Sequence, residues 1–193
     1  IFEERDRQGK KTMPAGYSKV LAVGNLVPVK NHVQLIKVFA EIRKDLPSEK
    51  LTIIGNGPLL EDLKFQISNL KLENDIELVG RQDNLADYYK SADILVHPSL
   101  YEGWGRVIIE AAYCELPIIM SNVGLAGEII KNEESGLVVP VNDKEALKAA
   151  ILRLAKDENL RKKLAENAKK AITGQLSTKA EFLAKIKESW EAA

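Results

Sequence analysis

Apolar residues fall along the chain in two alternating kinds of run. Short continuous runs at residues 20–24, 50–54, 76–80, 94–97, 117–121 and 137–139 stop near glycine, proline or polar residues. Between them the apolar positions take a helical period: Val33, Ile36, Phe39, Ala40 and Ile42 within 31–45, then Leu59, Leu63, Ile67 and Leu70 with Pro58 in the first turn, then 85–90. Runs that stay apolar instead of alternating belong to strands covered on both faces, and strands separated by helices need crossover connections. The pattern predicts an α/β fold, a doubly wound parallel sheet of about six strands with helices on both faces. From Asp143 onward, Ala146, Leu147, Ala150, Ile151 and Leu154, then Leu160, Leu164 and Ala168, predict two amphipathic helices whose many lysines form a solvated face. After Gly174, Phe182, Leu183, Ile186 and Trp190 predict one more helix, with Trp190 as its packing anchor. Residues 1–17 begin with Ile1 and are polar and unpatterned, as a linker from a missing N-terminal domain would be. The expected organisation is therefore a linker over 1–17, a ligand-binding domain over 18–174 and a C-terminal helix over 175–193.

In open α/β sheets ligands bind outside the carboxyl ends of the strands. The suggestive residues gather there: Gly24, Asn25 and Lys30 after the first strand, Gly55, Gly57 and Pro58 after the second, Gly80 and Arg81 after the third, and 97–110 after the fourth. The last of these contains Ser99-Leu-Tyr-Glu-Gly-Trp-Gly-Arg-Val-Ile-Ile-Glu110, in which a glycine-punctuated turn runs into a helix opening near Arg106. Gly103 and Gly105 allow backbone angles closed to other residues, and a helix start leaves N–H groups without internal partners, where anions bind. Glu110 lies about one turn into that helix, beside those N–H groups. A carboxylate there repels a phosphate, so the natural partners of Glu102 and Glu110 are sugar or ribose hydroxyls. Spacing alone leaves two readings open, a ligand site and a solvated surface pair. Gly55-Asn-Gly57 by itself is a weak signal, since the fuller dinucleotide fingerprint is absent. His97 fits a hydrogen-bonded structural histidine better than a cleft residue, and His32, at the start of the first helix, is expected on the surface.

Composition narrows the partners. The 193 residues carry 28 basic and 28 acidic side chains, so there is no electrostatic footprint for nucleic acid and no pull toward an anionic membrane. No apolar run approaches the roughly 20 residues of a transmembrane segment, and no signal peptide opens the chain, which makes the cytoplasm the expected setting. The single Cys114 excludes an internal disulfide and reads as a small core residue.

Several segments taken together resemble the C-terminal, nucleotide-sugar-binding, Rossmann-like domain of GT-B-fold retaining glycosyltransferases of the family-four or "group 1" type. They are Val23-Gly-Asn-Leu-Val-Pro-Val-Lys30, Ile54-Gly-Asn-Gly-Pro58, Leu78-Val-Gly80, Ala92-Asp-Ile-Leu-Val-His-Pro-Ser99, Glu102-Gly-Trp-Gly105 with Glu110-Ala-Ala, Pro117-Ile-Ile, Gly127-Glu-Ile-Ile130 and Ser135-Gly-Leu-Val-Val-Pro140. The likeness covers residues 19–171, and it is the order and spacing of the segments that make it specific.

The resemblance implies a sugar transferase whose donor is a UDP-, GDP- or ADP-sugar and which needs no further cofactor. Glu102 and Lys30 become the candidate catalytic residues, Glu102 meeting donor-sugar hydroxyls and Lys30 the diphosphate. The donor-binding set is Gly24, Asn25, Gly55, Gly57, Arg81, Gly103, Trp104, Gly105, Arg106 and Glu110, with backbone N–H groups of 103–105 facing sugar and diphosphate, Glu110 holding the ribose hydroxyls, and the loops at 55–58 and 80–82 flanking the base. Cleavage of the sugar–phosphate bond puts negative charge on the leaving diphosphate, which a lysine and a helix N-terminus can stabilise without metal; no Asp-x-Asp pair stands in a suitable loop. The sequence departs from the family pattern at Asn25, where arginine is common, at Trp104, where phenylalanine is usual, and at Arg106, where the family has an apolar residue; Arg106 is the candidate to restore the missing charge. The expected partner is an N-terminal acceptor domain of the same full-length enzyme, whose setting is the cytoplasm or its membrane face, and the chain alone is expected to bind nucleotide without catalysing transfer. Two alternatives stay open: a sugar-nucleotide epimerase or hydrolase on the same fold, which would need further acid–base residues in the cleft, and a non-enzymatic interaction module that has lost its ligand.

Overall fold

The computed structural model of the protein describes residues 18–175. The linker expected over 1–17 and the terminal helix with Trp190 lie outside the described residues, except that Gln175 ends a helix begun earlier. Among the described residues six strands alternate with helices: β1 (Lys19–Val23), α1 (His32–Ile42), β2 (Lys50–Ile54), α2 (Leu60–Asn69), β3 (Ile76–Gly80), α3 (Ala86–Ser91), β4 (Ile94–His97), α4 (Arg106–Tyr113), β5 (Ile118–Ser121), β6 (Leu137–Val139), α5 (Lys144–Lys156) and α6 (Glu158–Gln175). Every strand pairing is parallel, and the order across the sheet is β3-β2-β1-β4-β5-β6. This is the doubly wound, Rossmann-like arrangement that the apolar runs predict.

Continuous apolar strands follow from coverage on both sides. Along β1, Val20 and Ala22 join one buried cluster while Leu21 and Val23 join the other. Along β4, Ile94 and Val96 face the first cluster and Leu95 the second. The first cluster is closed by α1, α2 and α5 through residues such as Phe39, Leu63 and Leu154, and the second by α3, α4 and the later part of α6 through Tyr89, Ile109 and Ile172. Phe39 and Leu35 are fully buried, so truncating either to alanine would cost several kcal/mol, about 2–5 by analogy with other cores.

Helix starts are cut by local chemistry. Asp143 caps α5 by accepting from the Ala146 N–H at 2.9 Å, and Asp157 accepts from the Leu160 N–H at 2.8 Å at the head of α6. Pro58 does not occupy the first helical turn as expected; it lies in the turn before α2, which starts at Leu60, and the Leu59 N–H that follows it donates to the Leu26 carbonyl at 3.0 Å. Cys114, half-buried after α4, packs against the second cluster.

The order in which strands are added switches between β1 and β4: successive crossovers carry the chain to β2 and β3 on one side and then to β4, β5 and β6 on the other. The two strands pair through Val20 with Ile94 and Leu21 with Leu95. Loops leaving the carboxyl ends of β1 and β4 therefore diverge around a crevice, the place where doubly wound sheets bind ligands.

Candidate donor site at the sheet switch point

Each side chain of the site is carried by a loop that the sheet fixes. After β1 the chain makes a short 3₁₀ turn, Pro28–Lys30, closed by Asn31 in the left-handed region at φ 55°. The Val29 carbonyl accepts from the Leu100 N–H at 2.8 Å, joining this turn to the loop after β4. Lys30 and Glu102, 72 residues apart, thereby meet in an ion pair. The carboxylate oxygen that receives the lysine, Oε2, also lies 2.9 Å from Nε2 of His97, the last residue of β4. His97 is 3% exposed, and the same Nε2 stands 3.1 Å from the hydroxyl of fully buried Ser99. Sequence reasoning had no signal for this contact beyond the position of His97 at a strand end.

Hydrogen bonding to His97, reinforced by Lys30 and opposed by partial burial, draws the Glu102 carboxyl down to about 2. Glu102 is therefore ionised at neutral pH, and the ring nitrogen facing it must carry a hydrogen. Both donors converge on Oε2. Neither donor is bonded to Oε1.

Glu110 stands on α4 under different control. The buried Tyr89 hydroxyl donates to its Oε2 at 2.9 Å, and Arg106, one turn back on the same helix, reaches Oε1 at 3.6 Å. Burial first, and then the neighbouring Glu110 charge, push the Tyr89 phenol well above its ordinary value, so it remains a donor. Arg106 is about half exposed and turns toward Glu110. Trp104 is half-buried against the second cluster.

Glycines at the site do several jobs. Gly105 caps α4 at φ 70°, the left-handed conformation that the turn requires. Gly103 does not take a positive φ, and a side-chain carbon there would meet nothing within 4 Å, contrary to the expectation that both glycines serve the backbone turn. A carbon on Gly55 would sit 1.9 Å from the Gly24 carbonyl oxygen, and one on Gly57 would sit 2.5 Å from that of Leu26. These two keep the loops after β1 and β2 in contact, along with Gly24 N–H to Ile54 carbonyl and Leu26 N–H to Asn56 carbonyl, each at 2.9 Å. The Gly55 N–H adds the loop after β3 by donating to the Gly80 carbonyl at 3.0 Å. Gly24 lies under the Lys30 stem, 3.6 Å from where its own side-chain carbon would be. Gly124, after β5, was not foreseen: at φ 55° it packs so closely on Glu102 that a side-chain carbon would come within 3.2 Å of Glu102 Cγ.

The remaining candidates are placed less centrally. Arg81 is largely exposed, its nearest partner Asp83 at 3.8 Å. Asn25 is exposed, and its carbonyl accepts from Val27 at 2.9 Å. His32 is not on the surface as expected. It is 2% exposed beneath Gly24, neither ring nitrogen has a partner among the described residues, and burial, with His97 nearby, lowers it to about 4, so it is neutral. The apolar period of α1 begins one residue later, at Val33, which is why the sequence offered no warning. Among the described residues no group of three or more His, Cys, Asp or Glu side chains is placed to hold a metal ion, and no helix is long and apolar enough to cross a membrane.

A doubly wound sheet with an ionised carboxylate, a lysine and a glycine-capped helix gathered at its switch point is a Rossmann-like domain of the kind found in sugar transferases. The chain belongs to the family described as glycosyl transferases group 1, whose profile matches residues 3–171, and it corresponds to the C-terminal domain of such enzymes. Over 173 residues it is 33% identical to the GalNAc-α-(1→4)-GalNAc-α-(1→3)-diNAcBac-PP-undecaprenol α-1,4-N-acetyl-D-galactosaminyltransferase of Campylobacter jejuni, covering 89% of this chain and 46% of that one. Among solved structures, sucrose-phosphate synthase from Thermosynechococcus elongatus superposes with a TM-score of 0.79 at 30% identity, over 94% of this chain and 47% of that one. TarM of S. aureus, in complex with fondaparinux, α-GlcNAc-glycerol and UDP, superposes with a TM-score of 0.82 at 20% identity, over 95% and 37%. The chain spans less than half the length of the first curated relatives, 41%, 46% and 40%.

Proposed function

We propose that this chain is the donor-binding domain of a retaining glycosyltransferase that moves a sugar from a nucleotide diphosphate to an acceptor, and that by itself it binds the nucleotide without catalysing transfer. The observation that carries this reading is the Glu102 carboxylate at the switch point, ionised and fixed through one oxygen by Lys30 and His97, with the other oxygen left to accept hydroxyls. A carboxylate with a fixed orientation is suited to a polyhydroxyl ligand, since each hydroxyl donates one hydrogen and the acceptor costs no reorganisation.

In this reading Lys30 leaves Glu102 for the diphosphate when donor binds. Its flexible four-carbon stem, lying across Gly24, allows that exchange, and at the diphosphate its charge opposes the negative charge that grows as the sugar departs. Backbone N–H groups of 103–105 and the opening of α4 add to the same effect. Glu110, oriented by Tyr89, accepts from the ribose hydroxyls, while Arg106 supplies the cation that Asn25 does not. The loops after β2 and β3, with Arg81, flank the base. The acceptor site belongs to a companion N-terminal domain. The undecaprenol in the name of the Campylobacter jejuni relative supports an enzyme working at a membrane face.

Calorimetric titration of the chain with UDP, GDP, ADP and their sugar conjugates tests the proposal. Binding of one nucleotide family is expected, with no sugar released or transferred. Absence of binding to all three families would end this reading.

A further inference from the structure

We infer that His97 is a positioning residue of the donor site, its Nε2–H pinning Oε2 of Glu102 so that Oε1 stays turned to the sugar when Lys30 departs for the diphosphate. The inference rests on the donor-binding reading above and asks which group keeps the carboxylate aimed at the one moment its lysine is engaged elsewhere.

Lys30 and His97 donate to the same oxygen but differ in what holds them. Lys30 sits on a 3₁₀ turn and reaches Glu102 through a long stem whose rotamers cost little to change. His97 ends β4 in register with Met120 of β5, so its backbone is fixed by the sheet. The ring has two side-chain torsions and is 3% exposed, which leaves it little freedom to turn. Ser99, fully buried, stands with its hydroxyl 3.1 Å from the same Nε2 and gives the ring a second polar contact at that nitrogen. His32 of α1 lies near His97 and, being neutral, brings no competing charge. Gly124 presses on the Glu102 stem from the loop after β5. Once Lys30 leaves, the His97 hydrogen bond is the polar contact that still orients Glu102 among the described residues.

If that is so, His97 affects sugar recognition through Glu102 and leaves the nucleoside diphosphate alone. Affinities are measured by calorimetry for a nucleoside diphosphate and its matching sugar conjugate, using whichever of UDP with UDP-glucose, UDP with UDP-N-acetylglucosamine, GDP with GDP-mannose or ADP with ADP-glucose the unmodified chain binds. The readout is the ratio of the two Kd values. His97→Phe keeps a ring in the cavity but removes the donor; the ratio is expected to move at least 10-fold against the sugar conjugate, while the Kd of the bare diphosphate stays within about 2-fold. His97→Gln, whose amide N–H can reach the Nε2 position, is expected to recover most of the ratio. Should His97→Phe fail to fold, Ser99→Ala takes its place and is expected to shift the ratio about 3-fold in the same direction. An unchanged ratio, equal loss of both ligands, or no recovery in His97→Gln overturns the inference while leaving the donor-binding reading intact. An unmodified chain that binds no nucleotide overturns both.

Discussion

Glu102 and Glu110 have seven residues between them yet are held by different parts of the molecule. Glu102 draws its partners from β4 and from the turn after β1, so its charge is balanced only once the sheet has brought distant segments together. Glu110 is served by Arg106 of its own helix and by Tyr89 of neighbouring α3. The first carboxylate is compensated by two strong donors on one oxygen, and the second by a neutral phenol and a looser arginine contact. The contrast teaches that two glutamates on one short motif need not share a role: one is tied to the turn after β1 across the switch point, and the other to α3 and to its own helix.

The largest expected effect comes from removing the long-range carboxylate. Glu102→Gln in a full-length enzyme carrying this domain is expected to lower transfer by at least about 100-fold, in line with loss of one preorganised electrostatic group. Initial rates of sugar transfer check this, and loss below 5-fold would erase the distinction between the two glutamates.

A second effect, on the order of 3 kcal/mol, separates the groups around Glu102 by pH. His32 is lowered from 6.5 to about 4, so the unfolded chain takes up its proton first; the neutral ring's contribution is whole above pH 6.5 and is lost as pH falls toward 4. Glu102 is lowered from 4.5 to about 2, so its contribution is whole above 4.5 and is lost below that, toward 2. Urea unfolding as a function of pH is expected to show both losses, and His32→Phe is expected to remove the one between 6.5 and 4. A buried imidazole without partners also predicts that His32→Phe is no less stable at pH 7.

Smaller effects are expected at the other pole. Glu110→Gln should weaken the nucleoside diphosphate by about 10-fold and narrow its advantage over the 2′-deoxy form, because one acceptor for ribose is lost. Arg106→Ala should weaken the same ligand by about 2–4-fold, the size of a half-exposed charge. Competition titrations resolve both, and an effect of Arg106→Ala above that of Glu110→Gln would invert the ordering.

The layers of this fold are legible in the sequence because burial on both faces leaves continuous apolar runs, and four strands, at 50–54, 76–80, 94–97 and 137–139, fall at the bounds that those runs predict. The crevice follows from strand ends alone. What was not legible depends on distance in sequence. Nothing local in Lys30 or His97 announces that both meet one oxygen of Glu102, because strand order, not spacing, brings them there. Gly124 falls in an ordinary loop and matters only through the stem it touches. His32 was misplaced for a related reason: a polar residue at a helix start reads as exposed, yet the loop after β1 folds over it. Conversely Gly55 and Gly57, read as ligand-facing, are required first by the approach of neighbouring carbonyls, whatever they also do for a ligand.

The bond from Leu100 to Val29 spans the two halves of the sheet at their divide. Its consequence concerns exchange of parts between related enzymes. A graft carrying only the segment after β4 would import a glutamate without the backbone partner that sets its height against the lysine, and a graft carrying only the turn after β1 would make the opposite error. The two segments form one transplantable cassette, so chimaeras cut between them should fold and yet arrive with a mismatched pair, whereas chimaeras that move both should carry the pair across intact.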